Sequence, residues 1–182
     1  DEVIRQKHES GILKNATRIR KQITTNQNGF LKLVENNFPD VEPVQGNDLV
    51  ECISENYDRH GIRSTLVITR SNKRANLFNQ GIRNQILWRE EEISEGDYLM
   101  VVKNNYFWLA DYEELDFIAN GDIIQINRIH GFRELYGFRF ADISASLVDY
   151  EGIEFDAKIL VDTIHSQTAS MSMADNKKLF SA

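Results

Sequence analysis

The chain has 182 residues, a formal net charge of -7 and an apolar fraction of 41%. This length suits one domain or two small ones, and the apolar content excludes a disordered chain. The single cysteine excludes an internal disulfide and a multi-cysteine metal site. No apolar run approaches the roughly 18 residues of a membrane span, and no signal peptide is evident. We therefore expect a cytoplasmic protein without a membrane partner.

Charge is distributed unevenly along the sequence. Residues 59–89 include seven Lys or Arg and no acid, whereas residues 90–116 include nine acids and only Lys103. Two solvated faces that compensate each other would explain this pattern. Because a stand-alone nucleic-acid binder is usually basic overall, an acidic chain of this kind is expected to make only local phosphate contacts.

The first half of the sequence predicts helices around one strand. Ser10 is a plausible N-cap of a first helix, and Asp48 of a second helix that Gly61 ends. Residues 64–69 are apolar and β-branched, which predicts a short buried parallel strand. Apolar residues recur at helical spacing over 72–87, so a third helix is expected there. Helix, strand and helix together indicate part of an α/β layer.

The pattern changes after Trp88, where short β-rich runs alternate with glycine-containing turns. The predicted strands are 98–102, 106–109, 123–129, 138–147 and 155–164. Since no helical pattern separates them, they predict a small antiparallel barrel. The expected fold class is α/β plus β. Its domains would be a partial α/β lobe over 1–92, an inserted barrel over 93–166 and a return segment over 167–182.

The junction between the predicted strand and the third helix is basic. Its polar and charged residues are Thr69, Arg70, Ser71, Asn72, Lys73 and Arg74. The N-terminus of a helix presents free N–H groups and a positive dipole end, which favours a phosphate there. The alternative is that Ser71 or Asn72 only caps the helix and that the cations only solubilise it. No GxxxxGK[ST] loop occurs in the sequence, which excludes a Walker-type nucleotide cradle.

Two turn segments of the predicted barrel carry asparagines. Asn104-Asn105 and Asn120-Gly121 both favour tight turns. Their amides, together with the rings of residues 106–108, can offer donors and stacking faces to single-stranded DNA. The structural alternative is that these segments are two corners of a barrel whose aromatic residues lie in the core.

The acids and histidines give no persuasive catalytic set. A cluster that would suit Mg²⁺ in a nuclease consists of Asp111, Glu113, Glu114 and Asp116. An exposed acidic loop explains this cluster better. The four histidines lack an evident nucleophile and carboxylate nearby. We predict no metal site, and no catalytic role for the histidines.

Taken together, three groups of residues resemble the RecD-like branch of superfamily 1B DNA helicases. The likeness is to the C-terminal parts of exodeoxyribonuclease V alpha-chain-like proteins of Bacteroides-type bacteria. Val3-Ile4-Arg5-Gln6, with Ser10-Gly11-Ile12 and Asn15-Ala16, resembles the segment "RQ…S.I…A" of helicase motif IV. Gly96-Asp97, Met100, Asn104-Asn105-Tyr106 and Asn120-Gly121-Asp122 resemble the pattern "GD.vM…NNY…NGD". The basic junction lies between them, as the order of motifs in that family requires.

The resemblance implies a fold and a set of site residues. The chain would be part of a second RecA-like lobe with an inserted Src-homology-3-like barrel. Arg5 would be a catalytic arginine that reaches the γ-phosphate of ATP, and Gln6 would contact the nucleotide. The residues expected to face DNA are Thr69, Arg70, Ser71, Asn72, Lys73, Asn104, Asn105, Tyr106 and Asn120. ATP and Mg²⁺ would be cofactors of the full-length parent and would not bind to this piece alone.

Several motifs of the family are missing from the sequence. It has no Walker A lysine, no Walker B acid pair and no late "HKaQG" or "TRA" segment. We therefore expect an excised piece of an ATP-dependent DNA helicase that hydrolyses no ATP by itself. Its expected partners are single-stranded DNA, bound weakly, and the remainder of the helicase chain, with recombination subunits as further candidates.

Two other classes of function stay open at this point. The alternative is a module that docks protein partners of a recombination or repair complex, which the acidic segment 90–116 would suit. A nuclease is suggested only by the label of the family, and no constellation of metal-binding carboxylates supports it.

Overall fold

The computed structural model describes residues 10–26, 29–30, 32–35, 38–109, 112, 115–164 and 171–180. Arg5 and Gln6 lie outside this description, as do three members of the acidic cluster, residues 111, 113 and 114. The chain divides into two compact units, Asp1–Thr65 and Leu66–Ala182. The domain ranges expected from the sequence, with a boundary after residue 92, stay a prediction.

In the first unit, helix α1 spans Gly11–Thr24 and is capped from two places. Ser10 is its N-cap, as predicted, and its Oγ accepts a hydrogen bond from Leu13 N at 3.1 Å. A carboxylate oxygen of Asp40 accepts from Gly11 N at 2.8 Å, and the Ser10 hydroxyl donates to the other oxygen at 2.5 Å. The hydrogen bond from Ser10 is the main reason that the pKa of Asp40 lies below its usual value. A negative charge at this position also suits the positive end of the helix.

The buried side of α1 is not formed by its isoleucines. Gly11 and Asn15 are buried, whereas Ile12 and Ile23 are 50% and 73% exposed. The Asn15 amide donates to Val34 O at 3.0 Å and accepts from Val34 N at 2.7 Å. A polar side chain that bonds the backbone of a neighbouring segment therefore holds this face of the helix.

The second helix, α2, spans Leu49–His60 and ends at Gly61, as predicted. The φ of Gly61 is +82°, a backbone conformation that glycine adopts without steric cost. Asp48 precedes the helix, but its side chain makes no capping hydrogen bond.

The prediction of a buried strand over 64–69 is wrong. Ser64 closes a 3₁₀ turn, Ile62–Ser64, and Thr65 after it is extended, but residues 65–69 form no part of the sheet. Leu66 and Ile68 are 82% and 85% exposed. β-branched residues favour an extended backbone, but a strand also needs a neighbour that accepts its hydrogen bonds. No such neighbour is present within the described ranges.

The second unit begins with a helix that changes its winding. Helix α3 spans Asn72–Gly81 and passes directly into a π-helical turn, Ile82–Ile86, which confirms the helix predicted over 72–87. The π turn is closed by the bond from Leu87 N to Ile82 O, at 2.9 Å. Insertions of this kind into α-helices are frequent at functional sites.

The remainder of the second unit is an antiparallel sheet in the order β1-β2-β3-β4. Its strands are β1 Tyr98–Met100, β2 Ile123–Leu135, β3 Phe138–Leu147 and β4 Glu154–Leu160. The register between β2 and β3 shifts twice, after Ile126 and after Ile129, and such bulges increase strand bending and twist. The sheet curls into a half-barrel in which β1 and β4 are the edges. The coarser prediction, helices plus an antiparallel β unit, is confirmed.

Of the other predicted strands, one is absent and one is shorter than expected. Residues 106–109 form a turn, and the only pairing there within the described residues is a bridge between Asn105 and Ile118. The strand predicted over 155–164 stops at Leu160, where a 3₁₀ turn, Val161–Thr163, follows. A short helix, α4, then spans Met173–Phe180.

The core of the second unit lies on one face of the sheet. Alternate residues of β3 are nearly inaccessible, with Ile143 at 1% and Leu147 at 4% exposure. The other buried core residues are Ile93, Leu109, Ile118, Ile124, Ile126, Ala141, Ala145, Ile153, Phe155, Ala157 and Val161. The Tyr112 hydroxyl closes this core at one edge, because it donates to Glu154 O at 2.6 Å and accepts from Glu154 N at 3.1 Å.

Among the helices that the structure describes, none combines the length and the apolar character needed to cross a bilayer.

Candidate nucleic-acid interface

Asn105 organises the loop that follows β1. Its backbone pairs with Ile118 in both directions, at 2.9 and 2.8 Å. Its side-chain Oδ1 accepts from Phe107 N and Trp108 N, each at 3.0 Å. The amide therefore replaces the strand hydrogen bonds that a run such as 106–109 would otherwise make, which explains why the predicted strand is a turn.

Asn104 joins this loop to the second asparagine turn. Its Oδ1 accepts from Asn120 N at 2.8 Å, and its Nδ2 donates to the Tyr106 hydroxyl at 3.2 Å. Gly121, with φ +102°, and a hydrogen bond from Ala119 N to the Asp122 side chain at 2.7 Å shape the second turn. The structure thus brings Asn104, Asn105, Tyr106 and Asn120 together.

Four rings beside these turns form what we call the aromatic shelf: Tyr106, Phe107, Trp108 and Phe117. Their exposures are 59%, 81%, 36% and 38%, so they are not the core residues of the structural alternative. Tyr106 packs on Phe117 with ring centroids 5.1 Å apart, and Trp108 stacks on the core residue Phe155 at 6.3 Å. The sequence reasoning missed Phe117, because only its spatial position beside Tyr106 reveals its membership.

The amides of Asn104 and Asn105 are largely occupied by bonds within the protein. Their role in this geometry is to fix the loop, and the exposed ring faces are what the loop offers to a ligand. Flat, partly apolar rings on a fixed loop suit stacking with planar groups.

The second predicted contact region, residues 69–73, lies at the start of α3, and we call its cations Arg70 and Lys73, together with the neighbouring Arg74, the basic edge. All three side chains are exposed, and no hydrogen bond or ion pair of these side chains is found within the described residues. Ser71 is the N-cap of α3 and accepts from Arg74 N at 3.3 Å. Thr69 donates to Ser71 O at 3.1 Å. Ser71 therefore has the capping role that the sequence left open.

Asn72 is the first residue of α3 and is exposed. Within the described residues, no hydrogen bond or ion pair links the basic edge to the aromatic shelf. The two regions are parts of one compact unit but belong to different elements.

A buried carboxylate connects the helix to the sheet. Asp97, 5% exposed, precedes β1 and accepts from Arg83 Nη2 at 3.0 Å and from Arg89 Nη1 at 2.5 Å. It also accepts from Arg83 Nε at 3.3 Å and from Ser94 N at 2.7 Å. Arg83 lies in the π-helical turn and donates as well to Glu91 O at 2.7 Å. Arg83 is therefore a bonding partner of the buried carboxylate and not a solvated surface cation.

Glycine is required beside this carboxylate for two reasons. Gly96 has φ +81°, and a Cβ at this position would lie 2.9 Å from the Arg89 guanidinium. Any other residue would be strained in its backbone, and the end of the Arg89 side chain would have to shift to make room for its Cβ. The pair Gly96-Asp97 thus has a structural explanation that spacing alone does not reveal.

The histidine prediction needs one correction. His130 Nε2 lies 2.7 Å from Ser144 Oγ, so a nucleophile type is close, and Ser144 Oγ donates to Asp156 at 2.7 Å. Because the serine proton points to the carboxylate, the imidazole does not activate the hydroxyl in this arrangement. Asp156 is also highly exposed, with 85% of its side chain accessible. The cluster is a cross-strand polar pairing on the sheet.

Within the described ranges, no three His, Cys, Asp or Glu side chains are grouped to hold a metal ion.

No family model, curated protein or solved structure matches this chain.

Proposed function

We propose that this chain is part of a cytoplasmic ATP-dependent DNA helicase or translocase that acts in repair or recombination. Its role in that motor is to contact single-stranded DNA. The observation that carries the proposal is the aromatic shelf, whose rings stay exposed although the loop beneath them is fixed by Asn104 and Asn105. The order of the sequence motifs that resemble the RecD-like branch supports the same assignment.

The shelf suits unpaired bases better than a duplex. Bases in a duplex already stack on each other, whereas a single strand can place a base on a protein ring. Each such contact contributes about 1–3 kcal/mol and tolerates any sequence. Phe107, with 81% exposure, offers the largest free surface among the four rings.

The basic edge supplies the phosphate contacts of the proposal. Arg70 and Lys73 are exposed at the N-terminal end of α3, where the helix dipole adds positive potential. A net charge of -7 opposes long-range attraction of DNA, so these contacts act only at close range. Weak and salt-sensitive binding is the expected result.

In the proposed architecture, the helices belong to a second RecA-like lobe and the curled sheet to its inserted Src-homology-3-like barrel. Arg5 and Gln6 would reach ATP in that complete motor, with Mg²⁺ bound to the nucleotide phosphates.

The proposal is tested by comparing labelled oligo-dT with a blunt duplex of the same length in fluorescence anisotropy. We expect the single strand to bind more tightly at low salt. Equal affinity for the two, or tighter binding of the duplex, would contradict the assignment to single-stranded DNA.

A second candidate is the docking module, and one observation favours it. The outer end of the β2–β3 hairpin exposes Phe132, Leu135 and Tyr136 by 58%, 41% and 55%. Exposed apolar groups in one place are typical of protein interaction sites. Charge reversal of Arg70 and Lys73 separates the candidates. Loss of DNA binding supports the motor, whereas unchanged DNA binding favours docking, because these substitutions do not touch the exposed hairpin residues.

A further inference from the structure

Asp97 bonds the helical segment 72–86 through its side chain and the start of the sheet through its backbone. On the helical side it takes two hydrogen bonds from Arg83, at 3.0 and 3.3 Å. On the other side it follows Gly96, whose N–H donates to Ile126 O at 2.6 Å, and the Asp97 carbonyl accepts from Ile126 N at 2.9 Å. The carboxylate thus joins two elements through one residue.

The bonds of this carboxylate are numerous and shielded from water. The side chains of Asp97, Arg83 and Arg89 are 7%, 18% and 23% exposed. Charge-assisted hydrogen bonds of this kind are strong and directional, and a planar guanidinium bound through two nitrogens has little rotational freedom. The π-helical turn is therefore held in one orientation relative to β1.

We propose that Asp97 is a positioning residue that holds the basic edge of α3 in register with the aromatic shelf. This inference rests on the proposed function. The shelf lies in the segment between β1 and β2, and helix α3 joins the basic edge to the π-helical turn. Asp97 thereby lets one strand of DNA meet phosphate contacts and stacking contacts at the same time.

Two contacts on one rigid body bind a strand more tightly than the same contacts on independent bodies. Without the Asp97 link, each region would have to be ordered separately when DNA binds. We therefore expect that loss of the bond between Asp97 and Arg83 weakens the phosphate contacts of the basic edge, although Asp97 itself carries a negative charge and touches no ligand.

The variants are Asp97→Asn and Arg83→Gln, with Asp142→Asn as the matched control. Asp142 is also a carboxylate with two cationic partners, Arg133 at 2.7 Å and Lys158, but it lies within the sheet on β3. Arg83→Gln leaves Asp97 paired with Arg89, so it tests the same link if Asp97→Asn fails to fold. Hydrogen exchange of the free chains and salt titrations of oligo-dT binding are measured for all of them.

In the free protein, we expect exchange in residues 72–86 to rise at least about tenfold in both variants, with β3 unchanged and the control unaffected. In DNA binding, we expect the slope of log affinity against log salt to become shallower by about 1.4. This corresponds to two lost phosphate contacts at about 0.7 each.

The two ways in which this inference can fail are distinguishable. Unchanged exchange in 72–86, or a slope equal to that of the unsubstituted chain, would overturn the positioning role of Asp97. Absence of oligo-dT binding by the unsubstituted chain would instead overturn the proposed function, whatever the exchange pattern shows.

Discussion

Phe107 is the residue at which the proposed DNA contact is most accessible. Its ring is 81% exposed, while its backbone N–H is held by Asn105 at 3.0 Å. We predict that Phe107→Ala weakens oligo-dT binding by about 1–3 kcal/mol, since the loss of one stacked base costs this much. Anisotropy at fixed salt measures the change.

Phe132→Ala is the control for this substitution. Phe132 is 58% exposed and belongs to the same unit, but it lies on the β2–β3 hairpin. We expect oligo-dT affinity to stay unchanged. Equal losses in both variants would show that general apolar exposure, and not the shelf, causes the binding.

Asp40 illustrates a charge whose effect depends on pH. Its folded-state pKa is lowered, first by the hydrogen bond from Ser10, so its contribution to stability is present above the unfolded-state pKa of about 3.9. This contribution is lost as the pH falls through the lowered folded-state value. We predict that Asp40→Asn is less stable than the unsubstituted chain at neutral pH.

The same reasoning predicts that the difference between the two proteins closes in acid. Urea unfolding followed by circular dichroism, at neutral pH and in acid, measures this difference in the free energy of unfolding. A difference that is constant with pH would show that the amide replaces the carboxylate fully and that its charge is not involved.

At the scale of an element, two substitutions of Ser71 at the start of α3 can distinguish helix capping from phosphate binding. Ser71 Oγ accepts from Arg74 N at 3.3 Å, so Ser71→Ala removes the cap and should destabilise the helix by about 0.5–2 kcal/mol. Ser71→Asp keeps a good cap but places a negative charge beside Arg70 and Lys73. We predict normal helix stability and weaker DNA binding for Ser71→Asp.

Thermal unfolding and anisotropy together check this pair of variants. If Ser71→Asp binds DNA as well as the unsubstituted chain does, the start of α3 does not face phosphates. The cations at this position would then only solubilise the helix, which is the alternative that the sequence left open.

The elements also show where sequence patterns were informative. The caps at Ser10 and Gly61 are local, because each depends on a residue that bonds its own helix end, and both are confirmed. The strand over 64–69 failed because pairing depends on a neighbour that composition cannot supply. The strand over 106–109 failed because one side chain, Asn105, takes the backbone N–H groups of the segment.

The candidate site was predictable to a similar extent. The dipeptides Asn-Asn and Asn-Gly favour turns, so the positions of both turns could be predicted from the sequence. Asp97 and Phe117 were missed as partners, since the first pairs with arginines 8 and 14 residues away and the second meets Tyr106 only in space. Contacts between distant residues of this kind carry no local signature.

At the scale of the whole molecule, the charge balance and the absent nucleotide cradle constrain the function. The sequence has no Walker A lysine, so we predict that the purified chain hydrolyses no ATP, with or without DNA. A coupled phosphate-release assay checks this. DNA-stimulated release above the background of the buffer would contradict the assignment as an incomplete motor.

The central claim is that an acidic chain binds single-stranded DNA through a small local set of cations and exposed rings. A salt titration of oligo-dT binding tests it most directly, with Arg70→Gln/Lys73→Gln as the comparison. We predict that log affinity falls linearly with log salt, with a slope of about −1.4 or steeper. In the double variant, the slope becomes shallower by about 1.4, because two phosphate contacts are lost. No detectable binding at low salt, or a slope that the two substitutions leave unchanged, would contradict the account.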